Sequence, residues 1–169
     1  LGETFVHQGT YYQLADSPAL PKPVQSPRPP VIIGGKGLRR TPMLAARFAD
    51  EFNVPFEPAD SVARSYAAVA RACERIGRGA DGRAPLVLSA ALTVICGRTD
   101  AEVRRRAEAV GRDPAELRAG PGVAGTPDEV VEQLQEYARQ GASRIFLQVL
   151  DLADLDHLDL IAAEVAPRL

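Results

Sequence analysis

Tryptophan is missing from this chain of 169 residues, which also has one methionine, two histidines and two cysteines, Cys73 and Cys96. Two distant cysteines with no metal-ligating neighbours exclude a disulfide scaffold or a zinc ribbon and fit a reducing compartment. Ordinary buried thiols and a cytoplasmic location are therefore expected, with no metal site. No run approaches the roughly 18 apolar residues of a bilayer span, and the amino end lacks the basic-then-apolar pattern of a secretory leader. No membrane association is expected. Neither sign of charge dominates, with 20 Lys and Arg against 22 Asp and Glu and a formal net charge of −2. That balance leaves no basic footprint for nucleic acid, so the expected partner is a small-molecule substrate. The 46% hydrophobic content is enough for a sizeable core. The chain begins at Leu1 rather than methionine, within polar, strand-like sequence, which reads as a sign that sequence upstream was cut or is missing.

What is present is strongly punctuated. Residues 5–14 (FVHQGTYYQL) read as two short β-prone pieces around Gly9. Prolines at 18, 21, 23, 27, 29 and 30 make the next stretch an extended connector. Residues 1–30 are thus an arm and connector, and residues 31–169 the folded body. Val31, Ile32 and Ile33, ended by Gly34 and Gly35, form the continuous apolar run of a parallel strand buried on both faces. A helix over 41–49 and a strand over 49–55 follow. A second helix runs to Ile76, capped by Asp60 and Ser61 and stopped by Gly77. The third strand covers 86–96, and Thr99 and Asp100 cap a helix to about Val110. Pro114 opens a short turn over 113–118. Thr126, Pro127 and two acids open a helix to Gln140, closed by Gly141. The fourth strand is 144–150 and the last helix 155–165. Four strand-helix units predict a right-handed parallel α/β array, closed as a doubly wound sheet or as part of a barrel.

The segment from Val31 to Thr41 (VIIGGKGLRRT) places three glycines within four residues between a strand and a helix start. Glycine lets the backbone approach a ligand, the first helical N–H groups are unpaired, and Lys36, Arg39 and Arg40 supply cations. The pattern matches neither the nucleoside-triphosphate loop nor the dinucleotide fingerprint. Spacing alone leaves two readings: an anion site, or a tight turn with solvated cations.

A wider pattern surrounds this loop. Tyr11 and Tyr12 are followed by LPKPVQ at 20–25, PPVIIGG at 29–35 and ARFADEFN at 46–53, then by GTPDEV at 125–130 and GASRIFLQV at 141–149. This order resembles the bacterial luciferase-like monooxygenase superfamily, most closely its coenzyme F420-dependent oxidoreductases. The likeness runs from about Gly9 to the end. It implies the C-terminal half of a (β/α)8 TIM barrel, an α/β fold in which the four strand-helix units are strands five to eight. It also implies a flavin- or deazaflavin-dependent oxidoreductase or monooxygenase, with coenzyme F420 preferred to FMN as cofactor. The cofactor phosphate would be held by Gly34, Gly35, Lys36 and Gly37 with Arg40 and Thr41 nearby, next to the loop that starts at Asn53. Groups that position substrate in such enzymes lie largely on the first four strands, so no catalytic residue is assigned. The other reading is a non-catalytic half that binds a phosphate-bearing ligand or a partner subunit. Four strands leave two edges and, by expectation, an apolar inner face. A partner is therefore expected, either the missing N-terminal half-barrel or a homo-oligomeric copy.

The remaining polar residues carry plainer expectations. His7 reads as a solvated residue of the arm, and of Tyr11 and Tyr12 one should pack and one face water. Glu57 and Asp60 follow the second strand, where barrel enzymes place functional groups. His157 lies among Asp154, Asp156 and Asp159, whose spacing does not share one helix face, so a polar surface is expected there. Residues 104–106 (RRR) read as a solvated helix face.

Overall fold

The computed structural model describes residues 4–169, divided into two compact units, one ending at Pro30 and the other spanning Val31–Leu169. In the first, β1 (Phe5–Gln8) and β2 (Gln13–Ser17) pair antiparallel, and the Gly9 N–H donates to the Tyr12 carbonyl at 2.9 Å. Tyr11 and Tyr12 sit at the tip of this hairpin, 90% and 74% exposed, so neither packs inward as alternation had suggested.

The second unit alternates strands and helices: β3 (Ile32–Gly34), α1 (Arg40–Phe48), β4 (Glu51–Pro55), α2 (Ala59–Arg75), β5 (Val87–Cys96), α3 (Asp100–Ala109), α4 (Pro114–Ala119), β6 (Gly122–Gly125), α5 (Pro127–Arg139), β7 (Arg144–Gln148) and α6 (Leu155–Glu164). All strand pairs in this unit are parallel. The sheet has five strands where four were expected, because residues 122–125 (GVAG) add to the end of β5. In a strand, the backbone groups of alternate residues point to opposite neighbours. Ala91 accepts from the Phe56 N–H and Gly97 donates to Gly125, whereas Leu88 accepts from the Ser143 N–H. β4 and β6 therefore share one side of β5, end to end, and β7 takes the other. Side by side the strands run β3-β4-β5-β7, with β6 pairing the C-terminal part of β5 beyond β4.

One face of the sheet is covered by helices. Phe52 and Val54 of β4 and Ala90, Leu92 and Val94 of β5 pack with Val62, Tyr66 and Val69 of α2 and Val130, Leu134 and Tyr137 of α5. Full burial of each large aliphatic or aromatic side chain contributes about 1.5–3 kcal/mol. The alternate residues face the other way, and here the expectation of an apolar inner face is overturned. Glu51, Ser89 and Thr93 are buried there and hydrogen-bonded to polar neighbours. β3 is also not buried on both faces: as an edge strand it leaves Ile32 50% exposed and packs only Ile33 against the core.

Helix termini follow local chemistry. Thr99 accepts from the Glu102 N–H, Asp113 accepts from Ala115, and Thr126 and Glu129 form a reciprocal capping box. The Thr126 N–H holds the Glu129 carboxyl below the usual range. α2 departs from expectation: Pro58 is its N-cap and no side chain caps it, while Asp60 lies in the first turn and pairs with Arg64 at 2.9 Å. Gly77 and Gly141 end α2 and α5 at positive φ of 68° and 105°. Among the described residues no helix is long and apolar enough to cross a membrane.

Candidate functional site

The glycine-rich loop leaves β3 at its C-terminal end and enters α1 directly. Gly35 has φ of 150° and its N–H donates to the Asn53 carbonyl at 3.1 Å, so this amide is committed to the β4 side. A Cβ on Gly35 would stand 3.1 Å from the Thr41 methyl, and one on Gly37 would stand 3.0 Å from Thr41 Oγ1. The loop thus folds over Thr41 in a cradle that side chains would fill. α1 has Arg39 as N-cap, no side-chain cap and no acid in its first turn. Its first turn holds no carboxylate to meet the first N–H groups and the positive end of the dipole, and Arg39 and Arg40 are the residues at this start, an arrangement suited to an external anion.

Lys36 is the exception among the predicted residues. Its Nζ pairs with Glu57 Oε1 at 2.8 Å and donates to the Phe56 carbonyl at 3.0 Å. It straps the loop after β3 to the loop after β4, and Glu57 neutralises it. Phe56, at φ of 50°, holds a left-handed backbone that costs a bulky residue about 1–3 kcal/mol. Two hydrogen bonds hold it there: the one from Lys36, and its own N–H to Ala91 at 2.8 Å. The Phe56 side chain borders a cavity of about 380 Å³ at the ends of β4, β5 and β7, shared with Thr93, Arg112, Glu116, Leu117 and Gln148.

Asn53 points from β4 to the inner face of the sheet, in register with Gly34 and Ser89. Its Nδ2 donates to Ser89 Oγ at 2.9 Å, and Ser89 in turn donates to Glu51 Oε1 at 2.6 Å. Arg144 on β7 closes this chain by pairing with Glu51 Oε2. Further along, Thr93 donates to Gln148 Oε1 at 3.2 Å. Of the predicted residues, then, Gly34, Gly35, Gly37, Arg40 and Thr41 gather at one helix start. Lys36 is diverted to Glu57, and Asn53 belongs to the inner-face network. Ser89, Thr93, Arg144 and Gln148 were not singled out from the sequence, although a polar residue at every fourth position of β5 (89, 93) and of β7 (144, 148) was the available signal.

A second polar cluster lies where β5 ends. His157, expected at the surface, is only 4% exposed, and its Nε2 accepts the Cys96 N–H at 2.9 Å. Arg106, taken as part of a solvated run, is 7% exposed. It donates to the Cys96 carbonyl at 2.9 Å and to Asp154 Oδ2 at 2.8 Å. Cys96 is in register with Gly125 of β6, but the β7 pairing ends at Thr93, and on that side the side chains of Arg106 and His157 satisfy its backbone. Burial, with the nearby Arg106 charge, holds the His157 pKa below its ordinary value. Burial pushes the Cys96 thiol up to about 11, far from reactive. Among the described residues no group of His, Cys, Asp and Glu is placed to hold a metal ion.

Comparison with known proteins bears on these strand ends. The profile of the luciferase-like monooxygenase family matches residues 1–113, more than half of the chain. The chain belongs to the luciferase-like monooxygenase family. Solved structures agree on the fold. The chain is similar to the coenzyme F420-dependent tetrahydromethanopterin reductase of Methanopyrus kandleri, with TM-score 0.72, 16% identity, and 98% of this chain against 58% of that one. A monooxygenase from Streptomyces bottropensis gives TM-score 0.74 at 20% identity, covering 98% and 56%. The oxygenating constituent of 3,6-diketocamphane monooxygenase from Pseudomonas putida, in complex with FMN, gives 0.67 at 21%, covering 99% and 58%. This luciferase-like chain therefore spans a little over half the length of these neighbours, and its parallel sheet with helices on one face is a half-barrel.

Proposed function

We propose that the chain is the cofactor-phosphate half of a deazaflavin-dependent oxidoreductase, corresponding to strands five to eight of the barrel, with residues 1–30 as an arm and connector. The observation that carries the reading is the cradle of Gly35 and Gly37 over Thr41 at an uncapped helix start flanked by Arg39 and Arg40. Those residues fit a phosphate by backbone approach and by charge. Gly34 and the α1 amides would contact it, and Arg40 would neutralise it. Lys36 keeps Glu57 from facing the anion and holds Phe56 at the rim. The cavity beside Phe56, with Thr93, Gln148 and Arg112, offers room for a small-molecule substrate. When bound, coenzyme F420 supplies the hydride chemistry; the protein supplies position and electrostatics. F420 is preferred to FMN because the motif order as a whole resembles the F420-dependent branch.

A second reading follows from the share of the neighbours that the chain spans: a half-barrel that binds the phosphate-bearing ligand without turning it over. Calorimetric titration with F420, FMN and riboflavin tests the site, since riboflavin lacks the phosphate. Binding of F420 or FMN well above riboflavin is expected, weakened about tenfold by Arg40→Met and by Gly37→Val. Equal binding of riboflavin removes the phosphate assignment. Turnover of F420 at its absorbance band separates the enzyme from the binding half.

A further inference from the structure

We infer that the cavity bordered by Phe56 takes a zwitterion, an amino acid with an apolar side chain, its carboxylate held by Arg112 and its ammonium by Glu116. The inference rests on the reading of this cavity as the place of the substrate, whichever cofactor serves it. The cavity lies beside the glycine-rich loop, because Phe56 on its rim accepts at its carbonyl from Lys36 Nζ at 3.0 Å. Its volume of about 380 Å³ falls within the roughly 300–1,000 Å³ of small-ligand sites.

Three charged residues line it, all from the junction of α3 and α4. Asp113 is already occupied: its Oδ1 accepts from the Ala115 N–H at 2.7 Å as the cap of α4. Arg112 and Glu116 are not. They lie four positions apart, yet neither side chain has an ion pair or hydrogen bond among the described residues. Arg112 precedes α4, so the approach that joins such residues within one helix does not apply to it. Both side chains are exposed, and water satisfies them until a ligand displaces it. An uncharged ligand would leave a cation and an anion desolvated and unpaired, an anionic one would face Glu116, and a cationic one would face Arg112. A molecule that carries both charges leaves neither group alone. Gln148 supplies a further donor. Its Oε1 accepts from Thr93 Oγ1 at 3.2 Å, which fixes the amide and leaves the Nε2 donors for a ligand oxygen. Phe56, Leu117 and Pro121 add the apolar wall that a hydrocarbon side chain needs.

Calorimetric titration with phenylalanine, phenylpropionate and phenethylamine, in the absence and presence of FMN, tests the inference. The second probe lacks the ammonium and the third lacks the carboxylate. Phenylalanine is expected to bind about tenfold or more above either analogue. Arg112→Met is expected to bring phenylalanine down to the level of phenethylamine, and Glu116→Gln to that of phenylpropionate. Both positions are exposed, so circular dichroism should not change. Equal binding of the three probes, tighter binding of either analogue, or no binding of any overturns the inference, and these outcomes require no variant to fold. Discrimination that survives both substitutions refutes the assignment to Arg112 and Glu116. Parallel titration with F420 and riboflavin separates the inference from the reading it rests on. Phenylalanine bound by a protein that takes up neither F420 nor FMN leaves the zwitterion site standing and removes the cofactor reading; F420 bound well above riboflavin, beside three probes that bind alike, does the reverse.

Discussion

The imidazole of His157 accepts a backbone N–H through Nε2, so the folded chain requires the neutral ring. Burial and Arg106 lower its pKa, and the unfolded chain therefore takes up the proton first. Stability is undiminished above about pH 6.5, the ordinary histidine value, and falls as the pH drops through it. Asp154, hydrogen-bonded to Arg106, and Glu129, in its capping box, also have lowered pKa values, so a further loss sets in below about pH 4. Urea midpoints at pH 7.5 and 5.5 are expected to differ for the natural chain and to converge for His157→Gln, which keeps an acceptor but cannot titrate. Arg106→Met strands Asp154 and the Cys96 carbonyl and is expected to cost about 3 kcal/mol in the same assay. None of this cluster was legible beforehand. Runs such as residues 104–106 and the aspartates around His157 have the composition of a surface. Only the tertiary approach of α3 and α6 to the end of β5 buries one member of each.

Most elements were readable because their signals are local. Thr99, Asp113 and Thr126 cap the helices they precede, and Gly77 and Gly141 end theirs at positive φ. α2 misled because Asp60 is a good cap type that sits one position inside a helix already started by Pro58. β6 was invisible for a different reason: two of its four residues are glycines, chosen by crowding and not by strand propensity. A Cβ on Gly122 would lie 3.0 Å from the Thr93 carbonyl oxygen and 2.7 Å from Leu117. Gly122→Ala is thus expected to destabilise by about 1–3 kcal/mol. Thr126→Ala, which removes half of the capping box, should lose about 1 kcal/mol. Thermal melts of the two variants check both values. At the β3–α1 junction the glycine spacing was legible as a tight strand-to-helix loop. It could not show that Lys36 is spoken for by Glu57, because that pair joins residues on successive strand ends.

At the scale of the whole molecule the parallel α/β architecture was legible from strand-helix alternation, but the character of the inner face was not. The polar residues four positions apart in β5 and β7 acquire meaning only when register brings Ser89 beside Asn53 and Arg144. Glu51 is 3% exposed, and Arg144→Leu leaves its carboxylate unpaired. A loss of about 3 kcal/mol is expected from equilibrium unfolding, relieved by the second change Glu51→Gln. β5 is ten residues long and pairs with three other strands, the most of any strand in this sheet. Its amides are expected to be the slowest in native-state hydrogen exchange. The Cys96 amide differs in kind: it donates to an imidazole and not to a carbonyl, and its protection is expected to fall on acidification ahead of that of its neighbours along β5.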